Sequence, residues 1–311
     1  MPDTSLARKV INYRDLHYAV NYFRRFYGFS KMLKGVTFIS YRLIREIFLS
    51  LEEEHIANVN GYKLTTIPND SGISNELLIF KTHEPLSTEV LKTELKKGMV
   101  CLDIGANIGY YTLLERKLVG NRGKVIAIEP SPLTFSYLTK NVHLNRFSDI
   151  DTFNIALSSS DGEVPFLVGA MSNLSKVAIK TDSYPGSSLI KVPARSLDSF
   201  VSQNGIEKLD FLRMDVEGHE KEIIKGGFKA IKEFKPILHL EVHNSILGFK
   251  RTINFLYELR NLGYSIKYYI PRELDIPFIG SKKDILTADF DMLLRKSSDC
   301  KLPATFHLLL E

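Results

Sequence analysis

Cysteine is nearly missing from this 311-residue chain: Cys101 lies in an apolar run and Cys300 in a polar stretch near the end. Two unclustered cysteines build neither a disulfide framework nor a zinc site, and free thiols suit a reducing cytosol. No charge-free apolar run reaches ~18 residues, so no membrane-spanning helix is expected. Met1 to Lys9 is polar with no apolar core after it, so no secretory leader is expected. Repeats and low-complexity tracts are missing too. With 44% hydrophobic and 25% charged residues, 19 glycines and 12 prolines, the composition excludes a disordered or collagen-like chain. At ~150 residues per unit the length suggests about two, read here as one large domain with an appendage.

Acidic charge is scarce at one end only. Residues 1–50 hold nine Lys/Arg against three acids, a net +6, which leaves −1 for the remaining 261 residues of a +5 chain. Val10, Tyr13, Leu16, Val20, Phe23 and Tyr27 recur at helical spacing, as do Phe38, Tyr41, Ile44, Ile47 and Phe48, with Gly28 and Gly35 bracketing a break. Residues 1–54 therefore read as a basic aromatic helical segment. Three uses are open to it: a helical cap with solvated charges, peripheral contact with an anionic membrane through residues 1–50, or nucleic-acid binding. The last is the weakest, because the remaining chain is near neutral. The location expected is cytoplasmic, with membrane-peripheral attachment as the variant.

Residues 55–96 read as a lead-in. A β-hairpin extension is expected, with strands at His55–Leu64 and Leu77–Lys81 separated by the turn-type cluster Pro68–Gly72, followed by a helix over 86–96 capped by Ser87 or Thr88. From 97 to 311 strands and helices alternate. Strands are predicted at 100–104, 124–128, 151–155, 209–215, 237–242, 265–270 and 305–310. Helices are predicted from about 109, at 133–144, and near 219–226 and 250–262. Such alternation is α/β, with a mostly parallel sheet covered on both faces. The last two strands are joined by a long connection with no obvious helix, which fits an antiparallel final strand. Residues 157–190 and 270–303 read as substrate loops.

The sharpest motif is Asp103-Ile-Gly105-Ala-Asn107-Ile-Gly109, a strand end, a glycine-rich turn and a helix start. Open α/β sheets bind ligands at such carboxyl ends. Glu129, 20 residues after Gly109, ends the second strand, where a carboxylate can take ribose hydroxyls. The dinucleotide fingerprint needs G-x-G-x-x-G, and here Asn107 replaces the middle glycine. An acid at 103 repels a pyrophosphate but suits an amine and a sulfonium, so S-adenosylmethionine is favoured.

These residues, together with Ile128-Glu-Pro-Ser-Pro132, Asn154-Ile-Ala-Leu-Ser158 with Asp161-Gly-Glu163, Arg195-Ser-Leu-Asp-Ser-Phe200, Asp210–Gly218 and Leu240-Glu-Val-His243, resemble the FkbM family of S-adenosylmethionine-dependent methyltransferases. The resemblance runs in family order over about 95–243. It implies a class I methyltransferase Rossmann-like sheet and O-methylation, often of sugar or polyketide hydroxyls. It also implies that Asp103, Gly105, Asn107 and Gly109 hold the methionine part of the cofactor, Glu129 the ribose, and Ser131, Asn154 and Ala156 the surroundings of the adenine. Arg213 stands where the family often has Lys, and His219 where a small residue is common.

Asp215 and Glu217 are two apart at a strand end and share a face, and Glu241 and His243 repeat the arrangement. In a class I order the two strands are neighbours, so the four groups converge. One use is general base catalysis, with His243 as base, Glu241 orienting it and His219 second in line. Another is a divalent ion such as Mg²⁺ held by Asp215, Glu217 and Glu241. Packing roles are the plain alternative, with Glu217 accepting N–H bonds and His243 a core histidine; His239 on the same strand is not excluded by periodicity. Asp215-Val-Glu-Gly replaces the Asn- or Asp-Pro-Pro-Tyr element of base-modifying amine methyltransferases, which by resemblance favours oxygen. The reading is an S-adenosylmethionine-dependent O-methyltransferase acting on a saccharide, glycolipid or related small molecule. A non-catalytic cofactor-binding module and an NAD-linked oxidoreductase are the alternatives.

Overall fold

The lead-in shares its core with the main sheet. The computed structural model describes residues 28–41, 52–70, 72–169, 171–178, 187–298 and 302–311. The helices expected over 5–27 and 42–50, and with them most of the 1–54 segment, lie outside the described residues. Helix α1 covers residues 28–41 and runs through Gly35, which is buried, rather than breaking there.

Strands β1 (Ile56–Val59) and β2 (Tyr62–Thr65) form an antiparallel hairpin. The single strand expected over His55–Leu64 is thus folded back at Asn60-Gly61, both at positive φ (51° and 81°), the turn that matches strand twist. Helix α2 (Ile73–Phe80) replaces the strand expected at Leu77–Lys81. Asp70 accepts the N–H groups of Gly72 and Ser74, each at 3.1 Å, and so starts the helix. Because nearly every side chain of α2 is buried, its apolar run carries no period to separate helix from strand. Helix α3 (Pro85–Glu94) follows, with proline in its first turn.

Then come β3 (Val100–Ile104), α4 (Tyr110–Val119), β4 (Lys124–Ile128), α5 (Pro132–Leu144) and β5 (Ile150–Phe153). Strands β6 (Ala156–Ser158), β7 (Gly162–Val168), β8 (Lys176–Val177) and β9 (Ser188–Ser196) build a separate four-stranded sheet in the order β6-β9-β7-β8. Much of the stretch expected as substrate loop, 157–190, is therefore sheet. The chain continues through α6 (Leu197–Gln203), β10 (Phe211–Met214), α7 (Glu220–Gly226), α8 (Phe228–Phe234), β11 (Ile237–Val242), α9 (Asn244–Leu247), α10 (Phe249–Asn261), β12 (Ile266–Pro271), α11 (Phe290–Ser298) and β13 (Phe306–Leu310). Helix α11 occupies the connection read as free of helix.

The seven-stranded sheet has the order β12-β13-β11-β10-β3-β4-β5, with β13 antiparallel to both neighbours. This is the class I methyltransferase arrangement, with its antiparallel last strand. On one face Cys101, Val125 and Phe211 pack with α4 and with lead-in residues Leu64, Leu77 and Leu91. On the other face Leu102, Ile104, Leu212 and Leu240 pack against Phe255 and Phe306. The two-residue period of β3 therefore sends Asp103 to the same side as Cys101, toward α4.

Candidate active site

Strands β3, β4 and β10 end at a cleft walled in part by Gly105, Asn107, Glu129, Ala156, Asp215 and Glu217. Gly105 has φ +82°, and a Cβ there would stand 1.9 Å from the Asp215 carbonyl oxygen. Only glycine lets the first turn close against the loop after β10. Gly109 opens α4 beside Leu138 and lies outside the cleft wall.

Asn107, at φ 51°, donates its backbone N–H to Glu129 Oε2 (2.8 Å). Its side chain accepts from the Ile108 N–H and donates to the Ser172 carbonyl, tying the turn to the second sheet. Glu129 Oε1 accepts from Ser131 N–H (2.9 Å) and Thr134 Oγ1 (2.8 Å). With two lone pairs per oxygen, one acceptor site on Oε2 remains for a ligand hydroxyl. Burial pushes this carboxyl up to about 7, although three hydrogen bonds oppose the shift. Asn154 donates to the carbonyls of Glu129 and Pro130 and so shapes the loop. Of the three residues expected around an adenine, Ala156 lines the cleft with Ile128, Leu157 and Phe166, whereas Ser131 and Asn154 do not line it.

For Asp103, expected at the methionine part of the cofactor, the structure shows a buried position with an arginine partner. Asp103 is 0% exposed, accepts from Thr112 Oγ1 (2.6 Å) and Arg213 Nη1 (3.1 Å), and does not line the cleft. Register explains this: Arg213 lies directly opposite Asp103 across β10 and β3. The Arg213 guanidinium also reaches Asp215 Oδ2 at 3.0 Å and sits 4.0 Å over the Tyr111 ring.

The four groups of β10 and β11 do converge, but in two layers. Asp215 and Glu217 line the cleft, whereas Glu241 and His243 stand behind it at 6% and 4% exposure. His243 Nδ1 is 2.8 Å from Glu220 Oε1, and its Nε2 is 3.3 Å from Glu217 Oε2. Glu241 Oε2 is 3.9 Å from that Nε2, beyond hydrogen-bond reach. The carboxylate within hydrogen-bond distance of His243 Nδ1 is Glu220, from the first turn of α7. Glu241 instead faces Arg272 Nε at 3.3 Å. Burial works against a charged His243, but Glu241, Glu220 and Glu217 outweigh it and hold the imidazolium well above the usual range. Burial, with Asp215 and Glu220 nearby, pushes Glu217 up to about 7 despite His243. His219 lines the cleft with Nε2 2.9 Å from Ser158 Oγ, and burial lowers its pKa. His239 is stacked between Phe211 and His307 in the core, away from the cleft.

The expected metal set is rearranged. Among the described residues Asp215, Glu241 and His243 bring ligand atoms within 4.8 Å of one another, while Glu217 turns to His243. A second buried group, Glu84, Glu241 and His307, has Arg272 Nε at 3.2 and 3.3 Å from its two carboxylates.

The sequence reading missed His83, Lys176 and Glu220. His83 lines the cleft from the lead-in, with Nδ1 2.6 Å from Glu76 Oε2. Lys176 lines it from β8.

The chain is similar to curated methyltransferases. It is 29% identical over 157 residues to hexuronic acid methyltransferase AglP of Haloferax volcanii, covering 50% of this chain and 61% of that one. It is 29% identical over 154 residues to methyltransferase sdnD of Sordaria araneosa (40% and 59%), and 26% identical over 151 residues to 2-O-methyltransferase NoeI of Sinorhizobium fredii (44% and 60%). The matches thus span about 60% of each relative's length. A crystal structure of the methyltransferase FkbM from Methylobacillus flagellatus aligns at 15% identity with a TM-score of 0.41, over 69% of this chain and 43% of that one. The Methyltransferase FkbM domain matches residues 103–266, more than half of the chain, and the chain belongs to that family.

Proposed function

We propose that this chain transfers a methyl group from S-adenosylmethionine to a hydroxyl of a saccharide or a related small molecule, with Glu217 as the general base. The observation that carries the reading is the cleft at the Gly105 turn, which brings the carboxylate of Glu129, after β4, together with those of Asp215 and Glu217, after β10. The donor set fits the cofactor: Glu129 for a ribose hydroxyl, Ile128, Ala156, Leu157 and Phe166 for an apolar base, and, for a cationic amine, the oxygen of Asp215 that Arg213 does not take. When bound, S-adenosylmethionine supplies the methyl group. The names of AglP and NoeI support a sugar acceptor.

The protein's task is to hold the acceptor hydroxyl and take its proton. Glu217 lines the cleft and has a carboxyl pushed up to about 7, near the pH at which a base works best. His243 backs it from inside the fold. A metal-assisted reading comes second, carried by the Asp215–Glu241–His243 grouping, whose imidazole suits Mn²⁺ or Zn²⁺ better than Mg²⁺. Calorimetric titration with S-adenosylhomocysteine, NADH serving as control, tests the cofactor. Methyl transfer to a panel of hexoses and hexuronic acids tests the acceptor class. Glu217→Gln should lower kcat by about 10²–10⁴ while leaving the Kd for S-adenosylhomocysteine within about twofold. Unchanged turnover in that variant would remove Glu217 from the role, and binding of NADH alone would overturn the cofactor.

A further inference from the structure

We propose that Glu220 is a positioning residue: it pins the His243 ring so that Nε2 faces Glu217, and it pins the backbone that presents Glu217 to the cleft. The inference rests on the reading of Glu217 as base and extends it inward to a residue that no substrate touches.

Glu220 is 0% exposed. A carboxylate is carried into such a site only where partners compensate its lost hydration. Here one oxygen does two things. Oε1 accepts from His243 Nδ1 at 2.8 Å and from the Gly218 N–H at 3.0 Å. With Nδ1 held, the imidazole cannot turn over, and its other nitrogen is left 3.3 Å from Glu217 Oε2.

The second bond acts on the backbone. Glu217 and Gly218 are both left-handed, at φ 52° and 94°. A glutamate held there is strained and persists only if its surroundings fix it. Gly218 has no alternative, because a Cβ there would meet Ile246 Cγ2 at 2.6 Å. The same carboxylate oxygen therefore joins the strained turn that carries the base to the ring that faces it. Glu241, 3.9 Å from Nε2, and Asp215, in the same group, also face His243, but neither reaches Nδ1.

Two measurements test this. The first needs no turnover: side-chain nitrogen NMR of His243 should show a protonated, hydrogen-bonded Nδ1 in the full-length protein and lose that signature in Glu220→Ala. The second is a double-mutant cycle on methyl transfer. Glu220→Ala should lower kcat about ten- to hundred-fold, with the acceptor KM and the Kd for S-adenosylhomocysteine within about twofold. In a His243→Ala background the same change should cost clearly less than in the wild type, because only the bond to the Gly218 N–H is then left to lose. Glu220→Gln keeps an acceptor oxygen for Nδ1–H and should recover most of the rate. If the alanine variant does not fold, Glu220→Met fills the space without an acceptor and gives the same comparison. An unchanged NMR signature, or the same loss with and without His243, overturns the proposal. A confirmed signature in a wild-type protein that methylates nothing would instead sink the O-methyltransferase reading and leave the positioning of His243 standing.

Discussion

Replacing Glu129 by glutamine should separate cofactor binding from stability, in opposite directions. Glu129 is 6% exposed, and burial pushes its carboxyl from 4.5 up to about 7. That shift raises the free energy of the ionised form by about 3 kcal/mol relative to the unfolded chain. Between about pH 4.5 and 7 the native state binds more protons at this site than the unfolded state, so its contribution to stability falls as pH rises and levels off above 7. Glutamine has no charge to desolvate and escapes that fall. It also brings an N–H toward Asn107 or Ser131, a loss of about 1 kcal/mol that does not depend on pH. Urea melts near pH 5 and near pH 8 should therefore show Glu129→Gln gaining about 3 kcal/mol on the wild type between the two. Titration with S-adenosylhomocysteine near pH 8 should show weaker binding by about tenfold, the size of one charge-assisted hydrogen bond. Parallel stability curves would refute the buried-charge argument, and unchanged affinity would remove Glu129 from the ribose.

Two further outcomes are expected. Arg213→Leu should destabilise the fold by about 3–5 kcal/mol in denaturant melts, because fully buried Asp103 keeps only Thr112. Arg213→Lys should lose less, since it keeps the charge but cannot bridge both Asp103 and Asp215; equal losses would show that the charge contributes nothing. EDTA should leave methyl transfer unchanged, because Asp215 already faces Arg213 and Glu241 already faces Arg272. Inactivation by EDTA and recovery with Mn²⁺ or Zn²⁺ would establish the metal-assisted reading instead.

Much of the sheet was legible because its strands are short, mostly apolar runs bounded by polar residues or glycine. Val100–Ile104, Lys124–Ile128 and Ile237–Val242 agree to the residue with the strands expected. The second sheet was not. Its β7, Gly-Glu-Val-Pro-Phe-Leu-Val, alternates poorly and carries a proline, and β8 is two residues long. The hairpin of the lead-in was expected to turn at Pro68–Gly72; it turns at Asn60-Gly61, which carries its own turn signal, and the second expected strand is helix α2.

The site was legible as a set of residue types and not as a set of roles. Strand period placed Asp215 with Glu217 and Glu241 with His243, but period says only which face of a sheet a side chain takes. It cannot say which nearby cation takes the charge. Arg213, one strand over, pairs with Asp103 because the two are in register, and that pairing removes Asp103 from the cleft. Arg272, at the end of β12, takes Glu241 by the same logic, and Nδ1 of His243 falls to Glu220 from α7. Each reassignment has one cause: a buried carboxylate needs a partner, and the one it finds lies across strands or helices at a separation that one-dimensional spacing does not encode. A motif can therefore identify the acids of such a cleft, while the arginines decide which of them are left to do chemistry.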